Sequence, residues 1–185
     1  MANVDKARGL QPFASPHGAV QATLYPIIAT YATSLFKGDP VIRVAAGYVE
    51  IATAAAGAAS VLGPILGTYD NTYAPSAYWI GATATAGFAL VADDPSQMFV
   101  LQEDSVGGAL TLASRGANGS LVAGTGDTTT NLSGWLLDSS TVTTTATLEV
   151  KLIDKLNVVG NDFGNYCDWV VKINAHQNAS ATAGI

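Results

Sequence analysis

Few residues in this sequence have the types and spacing that chemistry needs. The stretch DDPSQMFVLQEDS, residues 93–105, holds two acidic pairs, Asp93-Asp94 and Glu103-Asp104. Paired carboxylates serve general acid–base work, and a glycan hydrolase would hold two of them about 5 to 9 Å apart. Neighbouring side chains of an extended segment point to opposite faces, so Asp93 and Asp94 do not converge by themselves. Asp94-Pro95-Ser96-Gln97 instead matches a type I turn, with Asp first and Pro second. The histidines are two, His17 and His176. Two are too few for a three-histidine metal site, and neither H-E-x-x-H nor G-x-S-x-G occurs to build a zinc centre or a nucleophile elbow around them. The glycine-rich GTGDTTTN at 124–131 lacks the lysine and the following helix of a phosphate loop. Cys167 is the single cysteine, which excludes an internal disulfide framework and a cysteine-based zinc cluster. These residues predict no catalytic group, no metal and no cofactor.

The elements that would position them read as strands. Apolar runs flank the turn at 94–97, so that Phe99 and Leu101 face one way and Met98 and Val100 the other. CDWVVKINAH, 167–176, has the clearest period of two. Cys167, Trp169, Val171, Ile173 and Ala175 share one face; Asp168, Val170, Lys172, Asn174 and His176 share the other, polar one. YPIIATYATSLF is rich in β-branched and aromatic residues, and KGDP at 37–40 turns the chain. VIRVAAGYVEIA predicts two short strands around Ala45–Gly47, and PILGTYDNTYAPSAYWIGATATAGFALVA two more. TVTTTATLEVKLIDKL, 141–156, is the longest β-branched run. Only TAAAGAASVLGP, 53–64, invites a helix; its glycines and Gly63-Pro64 leave a loop or a short helix. Many short strands between turn signals predict an all-β fold, a single β-sandwich or barrel-like (jelly-roll-like) domain over residues 25–185.

Residues 1–24 read differently. Gly9, Pro12, Pro16 and Gly18 interrupt any period, which leaves an extended N-terminal arm or a disordered tail. Leu10, Phe13 and Leu24 are too sparse for a core and suit anchors on a neighbouring subunit; Leu10, Pro12 and Phe13 are the expected interface residues. The first residues contain no apolar stretch of signal-peptide type, so the sequons at Asn118, Asn131 and Asn178 read as chance.

Composition narrows the function. The 185 residues are 49% hydrophobic and only 12% charged, against about a quarter in ordinary domains. Such a surface suits large contacts between proteins. No run reaches the ~18 apolar residues of a spanning helix, so no membrane is expected. The formal charge is −6, and after Arg43 no basic residue appears until Arg115, which disfavours nucleic acid.

Five pieces, in order, resemble the capsid decoration (cement, or head-stabilisation) proteins of tailed bacteriophages. They are GLQPF at 9–13, ATSLFKGDPV at 32–41, SAYW at 76–79, DDPSQMFVLQED at 93–104 and VVKINAHQ at 170–177. The resemblance implies a β-rich knob on the outer surface of the virion. There it would act as a homotrimer that bridges capsomers of the major capsid protein and holds the shell against the pressure of its DNA. It implies no enzyme activity, cofactor or DNA contact. Two other classes stay open: a head-fibre or carbohydrate-binding β-module presenting Tyr69, Tyr73, Tyr78 and Trp79, and the carboxylate-pair hydrolase.

Overall fold

The computed structural model describes residues 3–54 and 60–179; the centre of the alanine-rich loop or short helix, 55–59, lies outside them. The expected all-β sandwich is what forms: two antiparallel sheets pack against each other, and the helical content among the described residues is a single 3-10 turn at Leu112–Ser114. The first sheet runs in the order β1 (Gln11–Ala14), β8 (Met98–Gln102), β12 (Asp168–Ile173), β11 (Val150–Lys155), β9 (Asn118–Val122), β10 (Leu136–Thr143). The second runs β2 (Thr23–Ile27), β7 (Gly87–Val91), β5 (Gly63–Tyr69), β3 (Pro40–Arg43), β4 (Val49–Ile51), with β6 (Pro75–Ser76) beside β5.

The first sheet curls back on itself. Its last strand, β10, reaches the end of β8 through the bridge Glu103–Leu137, where the Asp104 amide donates to the Leu137 carbonyl at 2.9 Å. Curling encloses a core of Leu10, Phe99, Leu101, Trp135, Leu137, Leu152, Cys167, Trp169 and Val171, with Ile42 and Leu66 of the second sheet packed against it. A smaller core of Ile27, Leu35, Val41, Ile65, Trp79, Ala89 and Val91 lies on the second sheet, and Ile51 touches both.

The turn at 94–97 forms as read: the Gln97 amide donates to the Asp94 carbonyl (3.1 Å), and the Ser96 amide to Asp94 Oδ1 (2.8 Å). It does not close a hairpin, because β7 and β8 belong to different sheets. Asp94-Pro95-Ser96-Gln97 therefore carries the chain from one layer to the other. In β12 the inward set Cys167, Trp169, Val171 and Ile173 is buried as expected. Val170 is buried too, because the face assigned to polar residues is itself partly covered.

The β-branched run at 141–156 is divided between the end of β10 and β11, and the chain bends between them. The strand expected in YPIIATYATSLF stops at Ile27, and Leu35 joins the fold through a bridge to Trp79. Within the chain, residues 11–14 form edge strand β1 against β8, and β2 runs across the boundary expected after residue 24. Gly9 and Gly38 lock this segment down. Both have positive φ, and a Cβ on Gly9 would strike the Gly38 carbonyl while one on Gly38 would strike that of Arg8, so only glycine permits the approach in which the Leu10 amide reaches the Gly38 carbonyl at 3.0 Å.

Candidate functional site

The two acidic pairs are placed by the fold in four different roles. Asp93 accepts the Tyr25 hydroxyl at 2.8 Å; burial first, then this carboxylate, raises the phenol's pKa. Asp94 holds its own turn and lies 3.7 Å from His17 Nε2. Asp104 accepts from the Ser139 amide (3.0 Å) and hydroxyl (2.8 Å), pinning the loop after β8 to β10. Glu103 is fully buried at the closure of the first sheet, where its Oε2 accepts the Leu110 amide at 3.3 Å and its Oε1 has no partner. Desolvation pushes its pKa up to about 7. Each carboxylate thus serves a local structural contact, and the pairs do not converge on a common point.

The remaining chemical candidates are also absorbed by the fold. His176 was expected on the polar face; it is buried just past the end of β12, where residue 176 bridges to Val61 and its Nδ1 accepts the Asn178 amide at 3.0 Å. Burial lowers its pKa to about 4, so the ring is neutral at ordinary pH. Burial likewise pushes the Cys167 thiol up to about 12, far from a reactive thiolate. In GTGDTTTN, Asp127 accepts the Thr129 amide (2.8 Å) and the Thr130 hydroxyl (2.9 Å), which closes a turn. Among the described residues no group of three or more His, Cys, Asp or Glu is placed to hold a metal ion.

The expected interface residues divide. Leu10 is fully buried in the chain's own core and is no anchor for a neighbour, a correction that follows from its contacts with the curled first sheet. Pro12 is half-buried in β1, and Phe13 is 52% exposed. The four aromatics divide as well. Trp79 belongs to the second core, Tyr78 stacks on Phe36 at 4.7 Å, Tyr69 is half-buried, and Tyr73 is exposed on one side while stacking on Phe88 at 4.6 Å. They form no common platform.

What the surface does present is apolar side chains and several clefts. Val4, Phe13, Tyr73, Ile80, Val106, Leu112, Val158 and Val159 are all more than half exposed. Val4, Val158 and Val159 gather at a cleft of about 330 Å³ between residues 3–8 and the loop 156–166. Hydrogen bonds hold both walls. Asn3 Nδ2 donates to the carbonyls of Asp162 (2.8 Å) and Asn165 (3.0 Å), and Gln102 accepts the Lys6 amide (2.7 Å) while donating to the carbonyls of Val4 and Tyr166 (3.0 Å each). At the floor, Arg8 pairs with Asp168 at 2.7 Å, and Asn161 bridges the Leu156 and Asp168 carbonyls at 2.8 and 2.9 Å. Sequence reasoning missed this cleft because its walls lie about 160 positions apart; the only local sign was the adjacent pair Val158-Val159 before Gly160.

No family model, no curated protein and no solved structure matches the chain.

Proposed function

We propose that this chain is a structural virion protein. It decorates the outer surface of a tailed-phage head, bound to the major capsid protein as homotrimers that bridge capsomers and stabilise the shell against internal DNA pressure. The observation that carries the reading is the surface. Large apolar side chains stand exposed around the molecule, up to 99% at Val159, in a chain with only eight basic and fourteen acidic residues. A face of this kind gains by burial against other proteins at about 25 cal/mol per Å² of apolar area. Repetition over several shell subunits turns modest contacts into firm attachment.

The family resemblance supports the same reading through the fold. Its five pieces supply Gly9 and Leu10, Leu35 with the Gly38 approach, Trp79, strand β8, and β12 from Val170 onward with His176. These residues build the two cores and the layer crossing, so the resemblance concerns the framework that carries the contact surfaces. The test is direct. Mixed with undecorated, expanded shells made from the capsid protein encoded in the same genome, the chain should sediment with them, and electron microscopy should show added density at the outer three-fold positions. Shells that stay bare at micromolar chain concentration would overturn the reading.

A further inference from the structure

We propose that the pocket between the segment leading into β3, the end of β4 and the loop after β9 receives a basic side chain, lysine or arginine, of a partner protein. The inference rests on the reading above, on which that partner is the shell protein. The pocket has a volume of about 370 Å³, and its walls come from both sheets. Buried Phe36, Asp39, Ala52 and Trp135 form its floor, and the exposed Thr33 and Thr125 stand at its mouth.

The charge of the guest is set by Asp39. This residue is 3% exposed; its Oδ2 accepts the Phe36 amide at 2.7 Å, and the Ser133 hydroxyl donates to the same carboxylate. It makes no ion pair among the described residues. A carboxylate taken out of water without a counter-ion is costly, and burial raises this one's pKa to about 6. The two bonds leave acceptor positions of the carboxylate unused. No basic residue lines the pocket. Along the chain its walls are flanked by Lys37, Glu50 and Asp127, so the surroundings stay acidic when the neighbours are counted. Lys37 is exposed and is not among the groups that act on the Asp39 carboxyl. Arg8, whose carbonyl lies against Gly38, turns its guanidinium to Asp168.

The rest of the guest is set by the floor. Phe36 and Trp135 offer aromatic surface against which an ammonium or guanidinium packs favourably, and Ile51 and Ala52 cover an aliphatic stem. Stacking on Tyr78 at 4.7 Å holds Phe36 from one side, and Gly126, where a Cβ would strike the ring, closes on it from another. The pocket is therefore shaped before the partner arrives, which spares the ordering cost of docking.

The experiment has two arms. In the first, n-butylammonium and the uncharged n-butanol are titrated into the full chain and followed by NMR at the Trp135 indole N–H. The ammonium should bind about tenfold more tightly than the alcohol, and Asp39→Asn should remove that preference. No binding, equal binding of the two probes, or a preference that survives in Asp39→Asn overturns the inference. In the second arm, undecorated shells are mixed with the unaltered chain, Asp39→Asn, Thr125→Lys and the control Thr144→Lys. The control places the same charge on an exposed residue outside the pocket. Binding is read by sedimentation after circular dichroism has shown each chain folded. Asp39→Asn and Thr125→Lys should each weaken attachment by about tenfold or more, and Thr144→Lys should bind as the unaltered chain does. Should Asp39→Asn fail to fold, Thr125→Lys carries the test in both arms, because its site at the mouth is exposed. If the unaltered chain binds shells and Thr125→Lys binds them equally well, the pocket is not the contact and the decoration reading stands. If the unaltered chain prefers the ammonium yet leaves shells bare, the decoration reading falls, and with it the shell protein as the source of the side chain.

Discussion

Strand pairs β8–β12 and β2–β7 are built from the same kinds of residue, yet only the second behaves as a half-buried sheet. In β7 alternation is clean, with Ala89 and Val91 buried and Phe88 and Leu90 half-buried, and along its partner β2 exposure falls from Thr23 and Leu24 (41% exposed) to the buried Ile27. In β8–β12 the inward residues Phe99, Leu101, Trp169 and Val171 are fully buried, and Val100 and Val170 of the opposite face are only 7% and 6% exposed. Part of the difference is made by the first fourteen residues. β1 pairs with β8, and Lys6 and Arg8 bond to Gln102 and Asp168, which are cross-strand partners on that outer face. The chain's own start covers one sheet; on the other, Tyr73 stacks on Phe88, while Leu24 stays 41% exposed and Leu90 half-buried. A segment that reads as an arm for a neighbour has been spent on its own domain, and the second sheet keeps an open apolar face.

The strongest way to break this comparison is at the first core. Trp169→Ala should cost roughly 3–5 kcal/mol in chemical denaturation, the range for truncating a buried aromatic. Leu10→Ala should cost roughly 2–4 kcal/mol, because its side chain lies in the same core; a neutral result would restore the detached arm.

A pH series sharpens the contrast at the closure of the first sheet. Glu103 has a folded pKa of about 7 against an ordinary 4.5, so the fold favours its protonated form. Its contribution is fully present below about pH 4.5 and is lost as pH rises through 7. Asp39, buried and raised to about 6, acts in the same direction between 3.8 and 6. His176 acts oppositely: its folded pKa of about 4 favours the neutral ring, so its contribution is full above 6.5 and is lost as pH falls through 4. Glu103→Gln should therefore stabilise the protein by on the order of 2 kcal/mol at about pH 8 and change little near pH 4. A gain of equal size at both pH values would show that packing, not ionisation, is responsible.

The smallest effects belong to the open face and to the polar side of β12. Leu24→Ala and Lys172→Ala should each lie within about 0.5–1 kcal/mol of the unaltered chain, since neither side chain leaves a sealed cavity. A cost for Leu24→Ala as large as that for Leu10→Ala would mean that the second sheet is covered in solution. Sedimentation equilibrium of the same sample at micromolar concentration should then show about three chain masses, as the trimer in the proposed function requires.

The sequence by itself determined the features that depend on neighbours along the chain. Period two in CDWVVKINAH placed Cys167, Trp169, Val171 and Ile173 inward, and the turn chemistry of Asp94-Pro95-Ser96-Gln97 placed a reversal where one occurs. The many short strand-like runs between turn signals determined an all-β chain. Tertiary structure alone decided that this turn joins two sheets, that His176 and Glu103 are buried, that Leu10 enters the core, and that residues 3–8 meet the 156–166 loop. The physical reason is the range of the forces involved. Backbone sterics and side-chain alternation act over a few residues and are written in every short window. Burial of a given histidine or leucine depends on which distant strand arrives to cover it, and that is settled only when the first sheet curls shut and the start of the chain is laid across it.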